Sequence, residues 1–143
     1  PLFSLVSQVS LPHTIEMENL RLRRATASDS EFAFRVRKLA FGRYIDQVWG
    51  WDEIEQRQLH QKRFASQEFS VIQLSDTDVG ILAMVREQDG LTINQLLILP
   101  EYQGRGIGEA CMMRIIDDAA ASDSPVRLKT LKVNSRANES RTQ

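Results

Sequence analysis

The chain has 143 residues, of which 42% are hydrophobic and 26% are charged. This balance is typical of a soluble globular protein of one domain with a real core. Its net charge of -1 gives no general attraction to nucleic acid or to a membrane surface. No apolar run approaches the roughly 20 residues that a membrane-spanning helix needs. Composition and charge therefore argue against a nucleic-acid-binding or membrane-spanning protein.

Side chains that bind metals or form disulfides are scarce. Cys111 is the one cysteine, so an intrachain disulfide is excluded and a reducing, cytoplasmic location is predicted. His13 and His60 are too few for a histidine metal cluster, and no Cys/His spacing indicates zinc. The sequence therefore predicts no metal site.

Residues 1–16 differ from the rest of the chain. Pro1 is not a natural start residue, and the segment lacks the basic stretch with which a signal peptide begins. Met17 then opens a stretch that reads like a native start. We expect residues 1–16 to be a tag or upstream remnant and residues 17–143 to form a single domain. A flexible native arm is the alternative for the first segment.

The domain is predicted to begin with a strand and a helix. Apolar and polar residues alternate over residues 20–25, as they do in a strand. Ser28 and Glu31 have the spacing of a capping box. The apolar stripe that follows predicts a helix over residues 29–41.

A connection and a second helix are predicted next. Residues 42–50 read as an aromatic-rich connection. Asp52 and Glu55 can cap a helix that runs to about Ala65. The apolar positions of this helix form no clean stripe, which predicts a loosely packed surface helix.

Strands and turns follow in the middle of the chain. Residues 69–74 and 79–85 read as strands joined by turn residues 75–78. Gly80 predicts a bulge in the second of them. An Asp-Gly turn then leads into a strand over residues 91–99, whose continuously apolar end predicts burial on both faces.

The segment after this strand points to an anion site. Pro100 ends the strand because proline has no N–H for the ladder, and Gly104, Gly106 and Gly108 follow before a helical pattern starts. Glycine lets a phosphate approach the backbone, and the first N–H groups of a helix have no partner within it. A phosphate cradle is therefore predicted. The spacing matches neither the P-loop nor the GxGxxG fingerprint, and a tight turn without a ligand is the alternative.

One more helix and one more strand complete the pattern. Ile107 and Cys111 share a helical line, so Cys111 is interpreted as a core residue rather than a reactive thiol. Residues 122–125 stop the helix, and residues 126–133 read as a strand with a bulge near Thr130. The predicted order is β-α-α-β-β-β-α-β, an α/β fold with a mixed sheet.

The glycine segment resembles the signature of the GCN5-related N-acetyltransferases, the GNAT family. That signature is Gln/Arg-x-x-Gly-x-Gly/Ala, and Gln103, Gly106 and Gly108 occupy its positions. The strand before it and the helix after it also agree with the family, and the resemblance covers residues 20–137. The resemblance implies the acyl-CoA N-acyltransferase (GNAT) fold.

The resemblance also implies that acetyl-coenzyme A (acetyl-CoA) is a co-substrate. In the family, the loop amides hold its pyrophosphate and the preceding strand pairs with its pantetheine arm. Arg105 and Arg136 are further candidates for contact with its phosphates. The implied cofactor-binding residues are Leu96, Leu97, Ile98, Gln103, Gly104, Arg105, Gly106, Ile107, Gly108 and Asn134.

Near the C-terminus the sequence departs from the family. Asn134 and Ala137 fit its Asn-x-x-Ala motif, but Arg141 stands where the family has the tyrosine that often protonates the leaving thiolate. The chain stops at Gln143 without the family's last helix and two strands, so we expect a truncated or altered C-terminus. A second copy of the chain could supply the missing strands, which makes a homodimer one alternative.

The reaction implied by the resemblance is attack of a neutral amine on the acetyl thioester, with a backbone N–H near Ile98 as donor to the oxyanion. The base is not identified. Asn94 stands where several relatives carry a carboxylate, and an amide is not a base. Glu53, Glu55 and Glu87 are candidates, with ordinary solvated surface acids as the alternative.

The acceptor is not specified by the sequence. In the family, the region between the first two helices commonly lines the acceptor pocket, and Tyr44, Trp49 and Trp51 fall there; simple packing is the alternative. Nearby acidic residues favour a cationic acceptor. The leading hypothesis is acetyl transfer to a primary amine of a small molecule or peptide. A catalytically weak acyl-CoA-binding or sensing domain and a structural module with an empty glycine turn are the alternatives.

Overall fold

The computed structural model describes residues 19–128, which form a five-stranded mixed sheet and three α-helices. The strands are β1 (Leu20–Arg24), β2 (Glu68–Leu74), β3 (Thr77–Glu87), β4 (Gly90–Ile98) and β5 (Val126–Leu128). The helices are α1 (Ser30–Trp49), α2 (Glu53–Ser66) and α3 (Ile107–Ala121). Strands β1 to β4 are sequential antiparallel neighbours, and β5 runs parallel to β4. The predicted fold class and element order are confirmed.

Helices cover both faces of the sheet. On one face, α1 packs against the sheet in a cluster that contains Ala33, Val36, Phe69, Ile81, Leu97 and Leu99. On the other face, Ile107, Cys111 and Ile115 of α3 pack against the sheet. Strand β4 contributes to both, because Leu97 and Leu99 face α1 while Leu96 and Ile98 face α3. Its predicted burial on both faces is therefore confirmed.

The first helix is longer than predicted. The predicted connection over residues 42–50 is wrong, because α1 continues to Trp49 and ends at Gly50, whose φ of +80° suits a helix end. Gly42 is tolerated within the helix because it packs beneath the indole ring of Trp51. Ile45 extends the buried stripe by one more turn. The sequence suggested a break because glycine has low helix propensity, and tertiary packing overrides that propensity here.

The cap at the start of α1 also differs from the prediction. The reciprocal contacts involve Thr26 and Asp29 rather than Ser28 and Glu31: the Thr26 N–H donates to Asp29 Oδ2 at 2.8 Å. A short 3-10 helix over Ala27–Asp29 therefore precedes α1. Glu31 instead accepts from the guanidinium of Arg57 on α2, so it has no role in the cap.

The second helix buries polar residues rather than apolar ones. Asp52 caps it as predicted, since the Glu55 N–H donates to Asp52 Oδ1 at 3.0 Å. Ile54 is 71% exposed, whereas Gln56 and His60 are buried. The absence of a clean apolar stripe thus reflects a polar interface between α2 and α1.

Two bulges shape the centre of the sheet. In β3 the extra residue is Val79, next to Gly80, as predicted for this position. In β4 the extra residue is Asn94, so Gln95 pairs with Ala83 and Ile93 pairs with Met84. A bulge bends its strand and strengthens the local twist, so β4 changes direction before it reaches the glycine segment.

Two predicted features lie partly or wholly outside the described residues. The strand predicted for residues 126–133 is observed as Val126–Leu128, and the bulge near Thr130 lies outside the described range. The first segment, residues 1–16, lies outside it as well. Among residues 19–128, no helix has the length and apolar character needed to cross a membrane.

Candidate functional site

The end of β4 presents backbone groups on the side away from β3. The Leu99 N–H donates to the Val79 carbonyl at 2.8 Å, and antiparallel pairing alternates along the strand. The N–H and carbonyl groups of Leu96 and Ile98 therefore point away from β3. The described part of β5 pairs only with Leu91 to Ile93, farther back along β4. The backbone edge at Leu96 and Ile98 is thus available to hydrogen-bond a ligand.

Gln103 ties the turn that follows β4 back to the strand. Its side-chain amide Nε2 donates to the Ile98 carbonyl at 2.9 Å. Pro100 opens a short 3-10 helix that ends at Tyr102, so the strand stops where predicted. Because the Ile98 carbonyl already accepts from Gln103, the Ile98 N–H and the backbone groups of Leu96 are left for a ligand.

The glycine loop leads directly into α3. Gly104 and Gly106 have φ near +80°, a region that side chains other than glycine rarely adopt, and Gly106 immediately precedes the helix. The first helical hydrogen bond is from the Ala110 N–H to the Gly106 carbonyl, and no side chain caps the helix. The N–H groups of Ile107, Gly108 and Glu109 therefore have no partner within the helix.

Open space lies over this helix end. A Cβ atom built at Gly104 or at Gly108 would meet no atom within 4 Å. The N–H groups of the first turn and the positive end of the helix dipole lie at the same end of α3. The residues therefore fit a bound pyrophosphate, which would occupy the space that side chains would otherwise fill.

Charged side chains around the loop are exposed. The Arg105 guanidinium stacks over the Tyr102 ring at 5.2 Å and donates weakly to the Glu101 carbonyl at 3.5 Å. It is free to swing toward a phosphate, and an exposed contact of this kind contributes about 0.3–1 kcal/mol. Glu109 lies in the first turn of α3, where its carboxylate weakens the positive potential. Backbone groups therefore provide most of the attraction for an anion.

Gly80 brings β3 and β4 unusually close beside this site. A Cβ atom built there would lie 2.4 Å from the Leu97 carbonyl oxygen and 3.2 Å from the Ile98 Cα. Only glycine fits without moving β4. The position of the Ile98 N–H therefore depends on a residue of the neighbouring strand.

The candidate bases occupy different environments. Glu53 accepts hydrogen bonds from Lys38, Trp51 and Arg57, and these bonds lower its pKa to about 2, which makes it a weak base. Glu55 is exposed on α2. Glu87 pairs with Gly90 at the opposite end of the β3–β4 hairpin. Gly90 lies eight residues before Ile98, which is about 27 Å along β4.

Asn94 is the bulged residue of β4 and lies four residues before Ile98. It is half-buried, and its amide neither gains nor loses a proton near neutral pH. The side chain can therefore orient a substrate or a water molecule by hydrogen bonding. It does not supply a base.

The aromatic residues of the predicted acceptor region divide into two groups. Trp51 packs on Phe34 with ring centroids 6.2 Å apart, and its indole N–H donates to Glu53, so it serves as a packing residue. Tyr44 and Trp49 lie on the last turns of α1 and are 44% and 74% exposed. Their exposure leaves them available for contact with a ligand, and their role in an acceptor pocket stays a prediction.

A polar cluster between α1, α2 and β4 was missed by sequence reasoning. Arg37 of α1 donates to the Gln95 amide oxygen at 3.1 Å, and Arg63 of α2 lies near enough to affect its pKa. His60 and Gln56 are buried in the same helix pair. The sequence did carry a signal for this cluster, the polar character of α2, but that character was interpreted as exposure of the helix to solvent.

Two further features lie apart from the glycine loop. Burial raises the pKa of the Cys111 thiol to about 12, so its interpretation as a core residue is confirmed.

A cleft of about 600 Å³ lies beside the second half of α3 and is lined in part by Arg24, Glu68 and Arg86. Of the residues predicted to bind the cofactor, none that falls within residues 19–128 lines it.

Some predicted residues cannot be placed. Asn134 and Arg136 lie outside the described residues, as do Ala137 and Arg141. The remaining predicted residues, Leu96 to Ile98 and Gln103 to Gly108, form one continuous strand, loop and helix start. In residues 19–128, no group of three or more His, Cys, Asp or Glu side chains is arranged to hold a metal ion.

Several solved structures share this fold. The chain is similar to the PaiA N-acetyltransferase from Thermoplasma acidophilum in complex with coenzyme A (CoA), with 13% identity, a TM-score of 0.62, and coverage of 86% of this chain and 84% of that one. It is also similar to a possible acetyltransferase from Clostridium difficile 630, with 14% identity, a TM-score of 0.61, and coverage of 86% and 87%. An acetyltransferase from Thermus thermophilus has 22% identity, a TM-score of 0.53, and coverage of 69% and 68%. At these identities the likeness shows the fold alone.

Sequence comparison gives the family. Among curated proteins, none matches the chain. The sequence model of the acetyltransferase (GNAT) family matches residues 33–140, which include β4, the glycine loop and α3. The chain belongs to the GNAT acetyltransferase family.

Proposed function

We propose that the chain transfers an acetyl group from acetyl-CoA to a primary amine of a small molecule or peptide. The observation that carries this proposal is the open N-terminus of α3, which has no side-chain cap and follows two glycines with positive φ. Membership of the GNAT family supports it. The structure of the PaiA enzyme, to which the chain is similar, contains CoA.

The described residues have distinct roles in this proposal. The N–H groups of Ile107, Gly108 and Glu109 hold the pyrophosphate, because they are unpartnered and lie at the positive end of α3. The backbone edge at Leu96 and Ile98 pairs with the pantetheine arm. Gln103 keeps the loop in place by donating to the Ile98 carbonyl.

The acetyl thioester supplies the group that is transferred. The Ile98 N–H is positioned to donate to the oxygen on which negative charge develops, which is the contribution expected of an oxyanion-hole donor. Asn94 orients the amine or a water molecule. Because Glu53 has a lowered pKa and Glu87 lies at the far end of the hairpin, the amine is expected to enter as the neutral species or to lose its proton to water.

The test is release of free CoA. The chain is incubated with acetyl-CoA and a panel of primary amines, and the liberated thiol is measured with a thiol reagent. Cys111 will contribute no background because it is buried and its pKa is raised to about 12. Amine-dependent thiol release, with an acetylated product identified by mass, supports the proposal. Binding of acetyl-CoA without release under any amine contradicts it.

A second candidate is an acyl-CoA-binding or sensing domain that turns over weakly or not at all. It is favoured by Asn94, an amide at the bulge of β4, and by the ion-paired state of Glu53. Thermal unfolding with acetyl-CoA separates the two candidates when combined with the release assay. A ligand at a hundred times its Kd stabilises the folded state by about 2.7 kcal/mol. A clear rise in Tm without turnover would identify the binding domain.

A further inference from the structure

The two halves of β4 present their odd-numbered residues to opposite faces of the sheet. Before the bulge, Leu91 and Ile93 belong to a cluster on the α3 face. After the bulge, Leu97 and Leu99 pack against α1 on the other face. Alternate residues of a strand normally share a face, so this change occurs only because Asn94 is an extra residue. The bulge therefore decides which face and which edge every later residue of β4 presents.

Apolar packing specifies this arrangement only weakly. Residues 96–99 are Leu, Leu, Ile and Leu, so a shift of one position would exchange apolar side chains of similar size between the two faces. Strand β3 is also free of polar side chains where it meets them, over residues 79–84. Because register is set largely by the hydrophobic pattern, a strand that is apolar on both faces can slip. A polar contact that only one register permits would hold the strand in place.

Gln95 makes such a contact. It is the one polar side chain of residues 95–99, and it is buried. Its Oε1 atom accepts from Nη1 of Arg37 on α1 at 3.1 Å, and the Arg37 guanidinium lies over the Phe41 ring at 4.9 Å. A shift of one residue would turn Gln95 to the α3 face, where the residues packed around Leu96 are apolar. The slipped register would therefore leave a buried amide without its partner, which is costly.

The register of β4 also determines the geometry of the candidate site. In the observed register the Leu99 N–H donates to Val79, and the Ile98 N–H lies on the opposite edge of the strand. After a slip, Leu97 or Leu99 would take the place of Ile98 at that edge, and the glycine loop would be displaced from it by one residue, or about 3.3 Å. A displacement of about 1 Å can reduce an enzymatic rate about 100-fold. Only one register is therefore suited to acetyl transfer.

We propose that the hydrogen bond between Arg37 and Gln95 fixes the register of β4 beyond its bulge, and that Arg37 is thereby a positioning residue for the cofactor site. Arg37 acts through Gln95 on the placement of Ile98 and does not touch the cofactor. Buried polar contacts of this kind can select one packing among several of similar stability. The inference rests on the proposed function, because it concerns the strand edge and loop that together hold acetyl-CoA.

The test removes both partners of the hydrogen bond. Arg37→Met combined with Gln95→Leu replaces the polar pair by apolar side chains, which should leave the unfolding free energy unchanged or raise it. Amide hydrogen exchange in the full chain is followed by NMR, with the amides of β2 as the internal reference. We expect the Leu99 N–H to exchange at least tenfold faster in the double variant, because a second register no longer pairs it with Val79. Unchanged exchange at Leu99, or equally faster exchange throughout β2, would overturn the inference.

Kinetics on the same proteins test the effect on the site. In the double variant kcat/KM for acetyl-CoA should fall at least threefold without a loss of stability, a combination that a merely stabilising contact would not give. Gln95→Glu alone keeps an acceptor for Arg37, so it should keep the slow exchange of Leu99. Faster exchange at Leu99 with unchanged kcat/KM would show that Arg37 does not position the site, and would overturn the inference while leaving the proposed function intact.

The matched control is Arg35→Gln. Arg35 lies on α1 two residues before Arg37, is exposed, and contacts the Phe32 ring at 5.3 Å. This variant should keep both the slow exchange of Leu99 and the kcat/KM of the parent. If Arg35→Gln speeds the exchange of Leu99 as much as the double variant does, the effect belongs to α1 as a whole and the inference fails.

A binding measurement covers the case in which the parent acetylates no amine, which would contradict the proposed function. The Kd for acetyl-CoA is then measured by isothermal titration calorimetry. The double variant should bind at least threefold more weakly, because only molecules in the observed register offer the complete site. Equal affinity in the parent and the double variant would overturn the inference, and the absence of binding by the parent would overturn both proposals.

Discussion

The glycine loop and the interior between α1 and α2 both concentrate positive electrostatic potential, but they do so with different parts of the chain. The loop offers backbone N–H groups to an anion, and glycines and a proline give the chain the geometry for this. The helix pair presents positive charge with arginine side chains that come from two helices. The first arrangement is local in sequence, whereas the second exists only after the helices have packed.

This difference explains what each region contributes to stability. Glycines with positive φ fit their places without strain, so the loop needs no compensating contacts. Within residues 19–128, Arg37 and Arg63 each retain a buried nitrogen without a hydrogen-bond partner, so these contacts do not hold the helix pair together. We therefore expect opposite responses when each region is altered.

The largest effect is expected at Gly80, on which the geometry of β4 depends. The Cβ atom of Gly80→Val would lie 2.4 Å from the Leu97 carbonyl oxygen, which belongs to the backbone and cannot move aside. We expect a loss of about 3 kcal/mol of unfolding free energy, measured by urea denaturation. Gly42→Ala is the control, because its Cβ would meet only ordinary contacts at 3.5 Å or more. A Gly80→Val protein as stable as the parent would show that β3 does not hold the end of β4 in place.

Asp29 differs from Arg37 and Arg63 because its charge is paired with an opposite charge. Both of its oxygens accept from Arg23, at 2.9 and 3.0 Å, and chiefly for this reason its pKa is lowered to about 2. A folded pKa below the unfolded value of 3.8 means stability that is present above pH 4 and lost as the pH falls to 2. Asp29→Asn should therefore lower the unfolding free energy by about 2 kcal/mol at pH 7 and by much less at pH 2.

The control for this prediction is Asp89→Asn. Asp89 is 79% exposed in its pair with Arg127, so its removal should change stability by less than about 0.5 kcal/mol at any pH. Urea denaturation between pH 2 and pH 7 measures both variants. A difference for Asp29→Asn that does not shrink at low pH would mean that its effect is not due to the charge.

The effect of replacing Arg63 is smaller and has the opposite sign. Arg63→Met keeps the apolar stem and removes a half-buried, partly unsatisfied charge, and it also relieves the repulsion of Arg37. We expect a gain of about 1 kcal/mol in unfolding free energy. Lys62→Met, at an exposed neighbouring position, should leave stability unchanged. A clear loss of stability in Arg63→Met would show that the guanidinium has stabilising partners, and the contrast with Asp29 would fail.

Features that depend on local backbone geometry were predicted well from the sequence, whereas features that depend on side-chain packing between elements were predicted poorly. Pro100 and the glycines after it act through local chain geometry, so the strand end, the loop and the helix start could be predicted. Gly42 misled the prediction because its place beneath Trp51 is set by tertiary packing, and the helix continues through it. The second helix was predicted to be a surface helix, and the burial of its His60 was missed, because nothing in a single helix indicates which polar side chains a second helix will cover.

The central claim, that the start of α3 binds acetyl-CoA, is tested most directly by Gly108→Asp. A Cβ here meets no described atom within 4 Å, and it leans toward the helix N-terminus, where the pyrophosphate is proposed to lie. The variant should keep the stability of the parent, because a negative charge in the first turn of a helix is favourable. Its affinity for acetyl-CoA, measured by isothermal titration calorimetry, should fall at least tenfold, because the carboxylate repels the pyrophosphate. Gly108→Ala is the matched control and should bind like the parent, since the family signature has glycine or alanine at this position. If Gly108→Asp binds acetyl-CoA as tightly as the parent, the cofactor does not occupy this helix end and the account is wrong.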